Sequence, residues 1–112
     1  MLKKLLVAAL LCASVVLTPM SDALSLDRKV WIYNQSSYDV YEMYVSNVGK
    51  DKWGPDQFGP SGILHRNYRT LWNIDDGSGY CRFDFKFVLS DGSARYKRDY
   101  NVCEFGRLNV VD

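Results

Sequence analysis

The stretch at residues 80–105, YCRFDFKFVLSDGSARYKRDYNVCEF, constrains the fold more than any other part of the chain. Its first half places Cys81, Phe83, Phe85, Phe87 and Leu89 on one parity and Arg82, Asp84 and Lys86 on the other. A period of two marks a strand with one buried face. Asp91-Gly92 follows, a dipeptide that tolerates the positive φ of a two-residue type I′ turn and so predicts a hairpin. With those two residues as the loop, Leu89 opposes Ala94, Phe87 opposes Tyr96, Phe85 opposes Arg98 and Phe83 opposes Tyr100. Aromatics then meet aromatics, whereas a shift that sets Phe85 against Asp99 and Phe87 against Lys97 puts charge on the apolar face. In the favoured register Cys81 lies opposite Val102, one residue short of Cys103. A disulfide needs Cβ atoms within about 4.5 Å, so the second strand is predicted to end or bulge between Asn101 and Cys103.

The first 23 residues read as a secretory signal peptide: Lys3 and Lys4, an apolar run of 13 residues from Leu5 to Leu17, then Ser21-Asp22-Ala23 as a small-x-small site. Thirteen apolar residues are too few for a membrane span, which needs roughly 20. Cys12 raises the alternative of a lipoprotein anchor, but Leu11 stands where such sites want a small residue. Cleavage after Ala23 leaves a single 89-residue domain, 24–112. Taking Lys3, Lys4 and Asp22 from 14 basic and 13 acidic residues leaves 12 of each, interspersed along the chain. A neutral chain without a basic run argues against nucleic acid and against membrane insertion once the leader is removed. Cys81 and Cys103 are then an even pair in an exported protein, which predicts a disulfide.

All 16 aromatic residues lie after the leader, and no long helical pattern accompanies them, so the fold class is all-β. Residues 26–34 form a first strand, with Val30 and Ile32 on one face and Trp31 and Tyr33 on the other. After a polar turn, residues 38–47 form a second, and the two read as a hairpin with Tyr41, Met43 and Val45 inward. Residues 63–74 supply a third strand region centred on Leu71 and Trp72, and residues 107–111 a last one. Six or seven strands with a turn every ten or so residues predict a small antiparallel β-sandwich with one disulfide.

Residues 48–61, VGKDKWGPDQFGPS, hold three glycines and two prolines, which exclude a regular element. Trp53 and Phe58 are nevertheless too apolar for a free loop. One reading is a compact loop that folds its aromatics onto the sandwich edge. The sharper reading is a ligand site in which Trp53 stacks on a sugar ring, or Asp51 and Asp56 help to hold calcium. Asp75-Asp76 lacks the alternating oxygen ligands and distal Glu of a calcium loop and reads as a solvated turn. Catalytic motifs are missing: one histidine, His65, no G-x-S-x-G, no H-E-x-x-H, no glycine-rich phosphate loop and no C-x-x-C. Neither a cofactor nor a metal is expected from this inventory.

The runs YVSNVGKDKWGPDQFGPSGIL and YCRFDFKFVLSDGSARYKRDYNVCE resemble a group of small exported bacterial proteins. Their pattern is Ser-x-x-Gly-x-Asp-x-Trp-Gly-x-Asp-x-Leu-Gly, then Cys-x-x-Asp, Asp-Gly and Asp-x-Cys-Glu. Matching positions are Ser46, Gly49, Asp51, Trp53, Gly54, Asp56, Gly59, Cys81, Asp84, Asp91, Gly92, Cys103 and Glu104, within residues 30–104. Phe58 replaces an aliphatic residue, Asn101 replaces an Asp, and Leu64-His65-Arg66-Asn67 stands where the pattern has a Pro-Gly turn. Some members of that group carry an amino-acid lyase label, but such a lyase is a much larger helical enzyme. The resemblance implies compartment and fold and brings no activity with it. Three functions follow: a periplasmic or secreted non-enzymatic module that binds a protein through an edge strand or the Trp53 loop; a sugar or calcium binder using Asp51, Trp53 and Asp56; and a small hydrolase using His65.

Overall fold

The computed structural model describes residues 26–112, so the predicted signal peptide and its cleavage point lie outside the described residues. Six strands follow one another, β1 (Lys29–Asn34), β2 (Val40–Asn47), β3 (Arg69–Asn73), β4 (Arg82–Leu89), β5 (Ala94–Asn101) and β6 (Arg107–Val110). They build two three-stranded sheets, β3-β1-β6 and β2-β4-β5. The all-β class read from the sequence is the class observed. Between the sheets lies one apolar core: Val30, Ile32, Leu108 and Val110 come from the first, and Val40, Met43, Phe83, Phe85, Phe87 and Leu89 from the second. The alternation along β4 is realised in full, with Phe83, Phe85, Phe87 and Leu89 all buried.

Strands β1 and β2 are not a hairpin, contrary to the expectation. β1 pairs antiparallel with β3, Trp31 opposite Leu71, and parallel with β6, Ile32 opposite Leu108. β2 belongs to the other sheet and pairs with β4. The crossing is made by the polar link after β1. Asn34 is fully buried, its amide donates to the carbonyls of Tyr38 (2.7 Å) and Leu64 (3.0 Å), and its Oδ1 accepts from the Ser36 N–H and hydroxyl. Side-chain bonding of this kind turns the backbone as a local substitute for a ladder, and here it carries the chain from one sheet to the other. Of the predicted inward set of β2, Met43 is buried and Val45 packs against the core, but Tyr41 does not point inward. A register shift between Val40 and Glu42 makes Tyr41 the extra residue, leaving it 45% exposed while Val40 and Met43 are buried.

The hairpin of β4 and β5 departs from the two-residue turn. Leu89 N–H donates to Ser93 O (2.8 Å) and Gly92 N–H to Leu89 O (2.9 Å), so the loop is Ser90-Asp91-Gly92, with Gly92 at φ 87°. That is the three-residue hairpin whose last position is left-handed and suits glycine. It sets Phe87 opposite Arg95 and Phe85 opposite Lys97, one residue from the predicted register. The offset is absorbed further along, where Arg98 and Asp99 together oppose Asp84, with Asp99 at φ 53° and its N–H donated to Asp84 Oδ1 (2.8 Å). Beyond this bulge the predicted pairing returns, Phe83 with Tyr100 and Arg82 with Asn101. β5 ends at Asn101, as the cysteine geometry requires, and a turn brings Cys103 to Cys81 in a disulfide with Cα atoms 5.3 Å apart. Beside it, the buried Arg28 donates to the carbonyls of Tyr80 (2.7 Å), Gly79 (3.0 Å) and Leu26 (3.1 Å), fastening the loop before β4 to the start of β1.

Four aspartates that brace loops are held below the usual carboxylate range. An N–H from Arg66 does this at Asp39, the Ser93 hydroxyl and N–H at Asp91, and the Ser37 hydroxyl and N–H at Asp112. At Asp76 burial pushes upward, but the Ser78 hydroxyl, the Asn47 amide and the Ser78 N–H outweigh it. A folded pKa below the unfolded value near 3.8 contributes stability that is complete above that value and is lost as pH falls through the folded one. Urea midpoints are therefore expected to be flat from about pH 7 to about pH 5 and to drop below about pH 4. Asp76→Asn should shrink that drop; an unchanged acid limb would exclude Asp76 as a contributor.

Candidate functional site

Residues 48–61 fold as a loop against the sandwich. At its start Asn47 is buried, its Oδ1 accepting the Gly49 N–H (2.9 Å) and its amide donating to Asp76 Oδ2 (2.8 Å). At its end the return is tight: a Cβ at Gly62 would lie 2.2 Å from the Phe58 carbonyl oxygen, so only glycine fits. Between these anchors Trp53 folds onto the outer face of β2-β4-β5, its indole centroid 6.2 Å from the Tyr96 ring. The Arg98 guanidinium lies 5.1 Å from the indole centroid and 5.0 Å from that of Tyr96, and its Nη1 is 3.6 Å from Asp84 Oδ2. A recess of about 100 Å³ is bounded here by Ser46, Lys50, Asp51, Lys52, Trp53, Asp84 and Arg98.

Of the three residues predicted to form a ligand site, Asp51 and Trp53 share this recess and Asp56 does not line it. Asp56 Oδ1 accepts from the Met43 N–H (2.9 Å) and the Phe58 N–H (3.0 Å), and Gln57 N–H donates to Met43 O (2.7 Å). Asp56 thus covers the outer edge of β2. Asp84 and Arg98 take its place in the recess. The sequence pattern puts Asp84 outward but sets Arg98 opposite the buried Phe85, and it is the bulge at Arg98 and Asp99 that turns Arg98 to the outer face. Ser46, Asp51, Trp53 and Asp84 all belong to the pattern described above, but a loop carboxylate and a strand carboxylate at that distance in sequence give no periodic sign that they converge.

The chemistry available is that of a small mixed-charge hollow. At about 100 Å³ it is smaller than the roughly 300 Å³ or more of a usual small-ligand pocket and admits the tip of a side chain. Arg98 and Tyr96 already pack against the indole that a sugar would need. Among the described residues no group of three or more His, Cys, Asp or Glu side chains is placed to hold a metal ion. Nearby, a hydrogen bond tunes Tyr44: its hydroxyl donates to Glu42, and this bond, with some desolvation, pushes its pKa up to about 12. His65 lies elsewhere, on the surface, with Nδ1 3.3 Å from Asp39 Oδ2 and its ring edge-on to Tyr68. Ser37, two residues before Asp39, donates its hydroxyl and N–H to Asp112. His65 and Asp39 thus form a surface pair.

Fold and site together define a small disulfide-clamped β-sandwich with an aromatic, mixed-charge recess on one outer face. Compared with protein-family profiles, with curated protein sequences and with solved structures, the chain matches none.

Proposed function

We propose that this protein is an exported, non-enzymatic interaction module that binds a protein partner through the Trp53 loop and the adjoining face of β5. The observation that carries this reading is the stack of Trp53, Arg98 and Tyr96, with Tyr96 52% exposed beside a recess sized for one side-chain tip. Trp, Tyr and Arg are the residues that dominate protein–protein binding energy, and they do so as anchors beside small desolvated pockets. The edge of β5 is a poorer contact, because Arg95, Lys97 and the bulge at Asp99 discourage strand addition. The Cys81–Cys103 disulfide and the leader read at residues 1–23 support a periplasmic or extracellular location.

The test is affinity capture from the native envelope or medium, followed by measurement of the recovered partner against variants. Trp53→Ala is expected to weaken binding roughly tenfold or more. Asp56→Ala is expected to lower stability by about 1–2 kcal/mol, through two lost hydrogen bonds, while keeping the partner. Equal retention by Trp53→Ala would sink the proposal. A tryptophan fluorescence change on adding neutral sugars or Ca²⁺, absent in Trp53→Ala, would favour a small-ligand site instead.

A further inference from the structure

The opposite outer face, that of β3-β1-β6, carries a different arrangement. Trp31 lies between Leu71 and Arg107, and Tyr33 between Arg69 and Asn109. Both arginines lean diagonally over the central strand. The Arg69 guanidinium carbon is 4.1 Å from the Trp31 ring centroid and 5.8 Å from that of Tyr33, and its Nη1 donates to the Tyr33 hydroxyl (3.0 Å). The Arg107 guanidinium carbon is 3.7 Å from the Tyr33 centroid, and its Nε donates to Asn109 Oδ1 (3.0 Å). Two guanidiniums thus converge on one tyrosine ring, each held by stacking and by a hydrogen bond.

Neither has a carboxylate. The ion pairs among the described residues are His65–Asp39, Arg82–Asp99 and Arg98–Asp84, so Arg82 and Arg98 of the other sheet are paired, while Arg69 and Arg107, like Arg95 at the hairpin end of β5, are not. Two fixed like charges around one ring repel each other, and an anion between them removes that cost. Their remaining N–H groups form the planar forks that match carboxylate and sulfate oxygens. Leu71, 45% exposed, extends the face with an apolar shelf beside Trp31. Oxyanion forks next to an apolar, aromatic shelf are complementary to a charged sugar, which offers a carboxylate on one edge and C–H groups on its face. Duplex nucleic acid fits less well: it requires a longer basic stripe, and the chain after residue 23 has no excess of positive charge.

We propose that the β3-β1-β6 face is a binding site for an acidic polysaccharide, with Arg69 and Arg107 holding its anionic groups and Trp31, Tyr33 and Leu71 supporting the sugar. The site is separate from the Trp53 loop and stands or falls independently of it. The test is affinity electrophoresis of the disulfide-bonded protein through gels containing polygalacturonate, heparin, neutral dextran or duplex DNA. Polygalacturonate is expected to retard the protein at low salt, and less at 0.15 M, since screening weakens exposed charge pairs. Arg69→Gln/Arg107→Gln should reduce that affinity roughly tenfold or more. Lys86→Gln/Lys97→Gln, which removes the same charge from the other sheet, should leave it within about twofold. Heparin retardation lost in the arginine variant supports the site with sulfate as its group; polygalacturonate retardation lost there supports carboxylate. Retardation by dextran alone, equal losses in the two double variants, tighter binding of duplex DNA, or no retardation by either acidic polymer overturns the proposal. Should the double variant lose its fold, Arg107→Gln alone provides the same comparison.

Discussion

Phe85→Ala is expected to lower the unfolding free energy by about 3–5 kcal/mol, the range found when a buried aromatic leaves a cavity in a packed core. Phe85 is fully buried on β4, the central strand of its sheet, and its ring lies 6.0 Å from that of Phe87 and 6.2 Å, edge-on, from that of Tyr100. In a three-stranded sheet few neighbours can close such a void. Since small domains have only about 5–15 kcal/mol in total, a substantial unfolded population is expected at 37 °C. Urea titration of the variant checks this, and a loss under about 1.5 kcal/mol would mean that the core collapses around the site and that Phe85 is not its keystone.

Removing the disulfide by Cys81→Ser/Cys103→Ser is expected to cost about 3 kcal/mol, because the link closes a loop of about 23 residues in the unfolded chain. The sequence separation of the pair is 22. The folded geometry adds little reason for a local rearrangement: the Val102 N–H donates to Cys81 O (2.8 Å), and Arg28 fastens Tyr80 and Gly79. The loss should therefore appear as a shift of the urea midpoint with the far-UV spectrum of the folded protein unchanged, and dithiothreitol should reproduce it in the wild type. A difference under about 1 kcal/mol, or a changed spectrum under native conditions, would contradict this account.

These two variants act on features legible in the chain itself. The parity of Phe83, Phe85 and Phe87 was sufficient to identify a half-buried strand, and an even pair of cysteines after a leader-like segment was sufficient to predict their bond. The distant end of the hairpin was also readable, because Phe83 facing Tyr100 satisfies both strands at once. Its near end was not. A loop of three residues ending at left-handed Gly92 stands where Asp-Gly alone suggests two, and the bulge at Arg98 and Asp99 compensates through a hydrogen bond from one backbone amide to Asp84. Parity is blind to such exchanges, since each bulge reverses it. Tyr41 shows the same effect on β2.

The class of the fold follows from local pattern: strands, one apolar face on the central hairpin, a clamp of two cysteines and a loop too aromatic to be free. The tertiary structure alone decided which strands are neighbours, separating β1 from β2 and setting β1 between β3 and β6. It also decided which side chains share a surface, replacing Asp56 with Asp84 and Arg98 beside Trp53 and gathering Arg69 and Arg107 over Tyr33. The physical reason is common to both. Alternation along a strand reports which face is buried, a local property, whereas strand partners and surface clusters are fixed by how two sheets pack over residues far apart in the chain.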